Sequence, residues 1–116
     1  MRWTGERGRT YFFQSELPYD VNETYGRDGF VGYRVGADVE AHDAHGVGVY
    51  HYFRDHAVTV PRAIACPPAL EARFVAPLSV YLNGRGTIQR VINDKGNATG
   101  PAGGPGNVAH WCGGTL

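Results

Sequence analysis

A chain of 116 residues holds one domain rather than two. Its 11 basic and 11 acidic residues balance, which argues against a nucleic-acid or anionic-membrane surface. No apolar run nears the ~18 residues of a membrane-spanning helix. The 17 glycines and plentiful aromatic residues suit an all-β protein with many tight turns.

Residues 1–8 read as an N-terminal extension without the apolar core of a signal peptide. The first strand follows so soon that the chain reads as cut from something longer. Arg9-Thr-Tyr-Phe-Phe-Gln-Ser-Glu-Leu17 reads as one strand, because aromatic residues fit a pleated, half-buried surface. Pro18 lacks an N–H and fixes φ, so that strand ends near Leu17. Glu16 then falls at a strand end beside aromatic bulk, where partial loss of water would raise a carboxyl pKa.

Residues 21–29 are dense in turn formers and read as a loop. Phe30–Val35 alternates as a strand, and the polar run 37–44 reads as a loop. Gly46–Phe53 is the clearest strand, with Val47, Val49, His51 and Phe53 on one face and Gly48, Tyr50 and Tyr52 on the other. A short strand over 57–60 stops at Pro61. Residues 69–75 are the one helix-like piece, at most two turns. Strands over 78–82 and 87–92, joined through the Asn-Gly signal of Asn83-Gly84, could form a hairpin. Residues 97–107 are Gly/Pro-rich and irregular, residues 108–111 form a last short strand, and Gly113-Gly114 begins the tail. The division is therefore a 1–8 extension, a β-rich body over 9–96 and a Gly/Pro-rich segment over 97–116. A sandwich, a barrel and a β-solenoid all fit this pattern, and no strict internal repeat chooses between them.

Glu16 is the first candidate for chemistry. Glycosidic cleavage needs a protonated carboxyl to donate to the leaving oxygen. Asp20 is a tempting partner, but four residues of extended strand span roughly 13 Å. An inverting pair stands about 6.5–9.5 Å apart. Tyr11, Phe12, Tyr19, Tyr25, Tyr33, Tyr50 and Tyr52 could stack on sugar rings, although core packing explains most of them. Tyr19 stands apart, because it shares the strand break with Glu16. His42 and His45, with Asp38, Glu40 and Asp43, have the composition of a metal site but no standard zinc spacing. Cys66 and Cys112 either pair or remain ordinary buried thiols. Asn22-Glu-Thr24 and Asn97-Ala-Thr99 are glycosylation sequons in turn-rich segments. Neither a nucleophile elbow nor a phosphate or dinucleotide loop is present.

Four stretches together resemble the C-terminal end of glycoside hydrolase family 55, the exo-β-1,3-glucanases or laminarinases. They are Gln14-Ser-Glu-Leu-Pro-Tyr-Asp20, Gly46-Val-Gly-Val-Tyr50, Phe74-Val-Ala-Pro-Leu-Ser-Val-Tyr-Leu-Asn83 and Gly86-Thr-Ile-Gln-Arg-Val-Ile-Asn-Asp-Lys-Gly96. The resemblance implies a right-handed parallel β-helix, here only its C-terminal coils, with irregular Gly/Pro-rich loops. It implies a secreted, extracellular enzyme that cleaves β-1,3-glucan with inversion and without metal or other cofactor. Glu16 would be its general acid, with Gln14, Ser15 and Tyr19 beside the substrate. The chain would lack one wall of the cleft, be inactive or only weakly active alone, and self-associate through an uncapped coil end. Neither nucleic acid nor membrane is expected as a partner. The competing readings are a non-catalytic carbohydrate-binding or assembly module, and a metal-binding module around His42 and His45.

Overall fold

The computed structural model describes residues 1–112. The expected all-β character holds. Four strands, β1 (Arg2–Trp3), β2 (Gly8–Tyr11), β3 (Gln14–Glu16) and β4 (Tyr33–Val35), open the chain. β5 (His42–His45), β6 (Gly48–Phe53), β7 (Thr59–Val60) and β8 (Ile64–Ala65) follow. The last are β9 (Phe74–Val75), β10 (Leu78–Gly84), β11 (Thr87–Ile88) and β12 (Val108–His110). One helical turn, α1 (Thr24–Arg27), and two 3-10 segments, Pro68–Arg73 and Pro101–Gly103, complete the regular structure of the described residues.

The strands assemble as β1-β4-β8, β2-β5-β9, β3-β6-β10-β12 and β7-β11. All pairings between these strands are parallel except that of β12, which lies antiparallel on β10. Parallel neighbours need a long crossover. Here each crossover is a pass through the other sheets, so the chain returns to a given sheet one strand further on. Gln14 pairs with Gly48, and Gly48 with Leu78. Successive partners thus stand about thirty residues apart, a repeat of backbone that leaves no repeat of sequence. The expected hairpin of 78–82 with 87–92 does not form. Gly84, at φ +97°, and Gly86, packed against the Phe53 ring, turn the chain out of the sheet instead. Ile88 then reaches the interior by pairing with Val60.

The strand expected over Arg9–Leu17 is two strands meeting at a corner. Phe12 takes φ 57°, and the next two passes turn at the matching positions, Gly46 (φ 67°) and Ala76 (φ 54°). The corners bond to one another: Phe12 N donates to His45 O (2.7 Å) and Gly46 N to Val75 O (2.8 Å). Alternation cannot reveal such a corner, because one left-handed residue resets which face comes next.

The polar run 37–44, expected as a loop, holds the first three residues of β5. His42 and Ala44 face inward, and His42 Nε2 meets the Tyr33 hydroxyl at 2.6 Å. That hydroxyl also lies 2.9 Å from Thr10 Oγ1. A buried imidazole with a partner can take an inward position usually held by an apolar residue. The loop expected over 21–29 holds α1, and the helix-like piece is the 3-10 segment Pro68–Arg73 with Leu70 buried beneath it. The strand expected over 87–92 is cut to Thr87–Ile88. Tyr33, Val49, Phe53, Ile64, Phe74, Ile88 and Ile92 lie at the centre of the core. Cys66 and Cys112 are free thiols, but Cys66 is only partly buried and Cys112 is exposed, so they are not the two buried thiols expected as the alternative to pairing. Burial pushes the Cys66 thiol up to about 12. The glycine tail begun by Gly113 and Gly114 lies outside the described residues.

Candidate functional site

Glu16 ends β3, an edge strand paired only with β6 among the described residues. Alternation sends Gln14 and Glu16 outward. Ser15 falls in the opposite row, level with Val49, Ser79 and Ala109. The outward row runs Glu16, Tyr50, Val80, Val108 across four strands.

Leu17, almost wholly buried, pins the end of β3. Its N–H donates to Tyr50 O (3.0 Å), and Arg54 N donates to Tyr19 O (3.0 Å), so Pro18 bends the chain without leading it off β6. The bend returns the Tyr19 hydroxyl to Glu16, where it donates to Oε2 at 2.9 Å. Tyr19 also rests against Tyr52, ring centres 5.1 Å apart. The Tyr19 phenol pKa is raised, first by this bond to Glu16, then by burial and the Glu16 charge.

Glu16 stands between two open depressions. One is lined by Gln14, Ser15, Glu16, Tyr50 and Leu82. The other is lined by Glu16, Leu17, Pro18, Tyr19, Asp20 and Arg54. The Arg54 guanidinium is forked onto Asp55, Nε to Oδ1 at 2.8 Å and a terminal nitrogen to Oδ2 at 3.1 Å. This exposed pair leaves Asp20 at the rim, on the same bend as Glu16.

One expectation fails. Glu16 is exposed, not sheltered by the aromatic run before it. The corner at Phe12 diverts that run: Phe13 turns inward to the Tyr33 ring (5.5 Å), while Tyr11 and Phe12 stay on the outside of the corner. The metal reading fails as well. His42 and His45, three apart on a strand, face opposite sides, and no three His, Cys, Asp or Glu side chains converge among the described residues. His45 stacks on Tyr11 instead. Sequence reasoning brought Gln14, Glu16 and Tyr19 together and turned Tyr50 and Tyr52 outward. It missed Leu82 and Arg54, which reach the site only through the register of β6 and β10 with β3. Tyr25 and Tyr33 belong to the interior.

An all-β chain with parallel strands from successive passes, carrying a carboxylate among tyrosines on one open face, defines the class of protein. No protein-family model matches it. The chain is 31% identical over 105 residues to an exo-β-1,3-glucanase of Streptomyces sp. (strain SirexAA-E / ActE), covering 85% of this chain and 17% of that protein. The solved structure of sacteLam55A from Streptomyces sp. SirexAA-E superposes with a TM-score of 0.83 at 29% identity, over 96% of this chain and 21% of that one. A glutamate-to-alanine variant of sacteLam55A in complex with glucose matches at the same TM-score and 28% identity. The resemblance to an exo-β-1,3-glucanase of glycoside hydrolase family 55 therefore holds in sequence and in fold. The chain spans about a fifth of the length of these relatives.

Proposed function

We propose that this chain is the acid-bearing C-terminal part of a glycoside hydrolase that cleaves β-1,3-glucan, with Glu16 as the general acid. The observation that carries the reading is the 31% identity to an exo-β-1,3-glucanase, joined to an open carboxylate on the outward row of a sheet. The four sheets are then the last coils of a right-handed parallel β-helix, secreted to the extracellular medium where its glucan lies.

Glu16 protonates the glycosidic oxygen as the bond to the sugar breaks. Oε2 accepts from Tyr19, so Oε1 is the oxygen left to carry the proton to the substrate. Tyr19 holds the carboxyl in one orientation, and Gln14 is placed to bond sugar hydroxyls. Ser15, in the inward row, contributes through its backbone. In an inverting reaction a second group activates water on the far side of the sugar. We place that group, and the second wall of the cleft, outside residues 1–116. The isolated chain then has little or no turnover and self-associates through the open edges of β1, β2 and β3.

In a longer chain that contains this segment, Glu16→Gln should lower glucose release from laminarin by about a hundred- to ten-thousandfold with the fold unchanged. Turnover near that of the parent removes Glu16 from the acid role. The half-buried tyrosines of the Glu16 face, Tyr19, Tyr50 and Tyr52, favour one second reading, a carbohydrate-binding module without catalysis. It predicts glucan binding by the parent and no sugar release from any form of it.

A further inference from the structure

Asn83-Gly84 carries the turn signal of a hairpin that the chain does not make. The fold still requires the glycine. Gly84 takes φ 97°, and a Cβ there would lie 2.7 Å from both the Phe53 carbonyl oxygen and a Tyr52 ring carbon. Nothing comparable requires the asparagine before it. Asn83 is exposed and does not share the left-handed φ that suits Asn93. Its side chain bonds no neighbouring strand among the described residues. It turns back on its own main chain, where Gly84 N donates to Asn83 Oδ1 at 2.8 Å.

Oδ1 is one bond from Cγ, so this contact sets the Gly84 nitrogen beside an electrophilic amide carbon. Glycine leaves that nitrogen free of the steric cover a Cβ would give it. Exposure of Asn83 admits water and lets a small leaving group depart. The other asparagines lack this combination. The Asn93 amide is committed to Cys66 and Glu71, and Asp94 follows it. Asn22 Oδ1 accepts from Thr24 N, two residues on, and not from the nitrogen next to it. Asn97 and Asn107 precede Ala98 and Val108, each with a Cβ.

We infer that Asn83 is a site of spontaneous covalent modification in the folded protein. The Gly84 nitrogen bonds to Asn83 Cγ, the Cγ–Nδ2 bond breaks, and ammonia leaves with the proton that the Gly84 nitrogen gives up. Water then opens the cyclic imide, to aspartate at one carbonyl or to isoaspartate at the other. Nothing is oxidised or reduced, and water is the only reagent. Both products add a negative charge one residue from Leu82, which lines the depression at Glu16. Isoaspartate also adds one carbon to the main chain of β10. The Tyr81 hydroxyl donates to Gly84 O (2.7 Å), and Arg85 N donates to Phe53 O (2.9 Å). A lengthened main chain cannot keep both bonds, so the isoaspartate form loses stability. The inference is independent of the glycosidase reading.

The test incubates the folded 116-residue chain at mildly alkaline pH, below its melting temperature, with a chain kept cold as baseline. Both are cleaved at arginine and read by mass spectrometry with fragmentation that separates isoaspartate from aspartate. Peptide 74–85 should gain one mass unit, ahead of every peptide that carries Asn22, Asn93, Asn97 or Asn107. Asn83→Gln, whose ring closure needs one more atom, keeps the mass of that peptide. Asn83→Asp brings the charge without the added carbon and melts as the fresh parent does. The aged parent, enriched in isoaspartate, melts below both. A folded chain that keeps its mass while the urea-unfolded chain gains the unit overturns the inference, because the strand then protects Asn83. An equal gain at another asparagine overturns it as well. An isoaspartate form that melts with the fresh parent overturns the predicted loss of the β10 bonds.

Discussion

His51 lies wholly inside the fold, between the Phe53 and Tyr81 rings. Its Nε2 meets Thr99 Oγ1 at 3.0 Å, and that hydroxyl lies 2.8 Å from Ser79 Oγ. Nδ1 has no partner among the described residues. Burial drives the imidazole pKa from 6.5 down to about 4. The unfolded chain therefore takes up a proton near pH 6.5 that the folded chain refuses until about pH 4. Stability contributed by the neutral ring is complete above pH 6.5 and falls away as pH drops through that window, by on the order of 3 kcal/mol. His42, lowered in the same direction by burial, adds to the slope. Urea midpoints between pH 7 and pH 4 should drop steeply for the parent and less for His51→Gln, which keeps an amide beside Thr99. Equal slopes in the two proteins would remove His51 as the cause. A second residue-scale expectation concerns Tyr19: Glu16→Gln takes away the carboxylate that raises the phenol pKa. Ultraviolet titration should then show one tyrosine ionising at lower pH than in the parent. An unchanged titration would mean that Tyr19 and Glu16 are not in contact.

At the scale of elements, successive passes lie so close that some glycines have no substitute. A Cβ at Gly26 in α1 would fall 1.7 Å from the Thr59 carbonyl oxygen of β7. Backbone atoms cannot yield as a flexible side chain can, so Gly26→Ala should cost on the order of 3 kcal/mol in urea unfolding. Gly29, at φ +82° with open space around it, marks the end of the same turn and should resist substitution through strain alone. Asn93 braces another junction. Its Oδ1 accepts from Cys66 N (3.0 Å), while Nδ2 donates to Cys66 O (3.0 Å) and to Glu71 Oε1 (2.8 Å). Asn93 also takes φ 51°, which asparagine tolerates better than most residues. Asn93→Ala loses all three bonds and should destabilise by about 2–3 kcal/mol. Asn93→Gly keeps the backbone and should recover only part of that loss. Full recovery would make the backbone, not the amide, the reason for asparagine.

At the scale of the whole molecule, the two ends of the strand stack differ. Beyond β10 lies β12, Ile88 is bridged to Thr99, and Ile64 to Ile92. Beyond β1, β2 and β3 no described residue pairs with the exposed edge. Unpaired edges are templates for further pairing. Sedimentation velocity should therefore show concentration-dependent association of the 116-residue chain. A single monomeric boundary up to millimolar concentration would count against the open edges as an association surface.

The sequence by itself determined the strand-rich character, the inward and outward faces of Gly46–Phe53, the break at Pro18 and the grouping of Glu16 with Tyr19. All of these follow from side-chain alternation and proline geometry, which act within a few residues. Only the tertiary structure decided that Arg9–Leu17 is a corner, that His42 and Ala44 line an interior strand, and that Leu82 and Arg54 border the Glu16 depressions. It also decided that Glu16 stands in solvent. Each of these depends on register between passes about thirty residues apart. Parallel pairing through backbone amides fixes that register without asking for like residues at matching positions, so it leaves no repeat in the sequence to read.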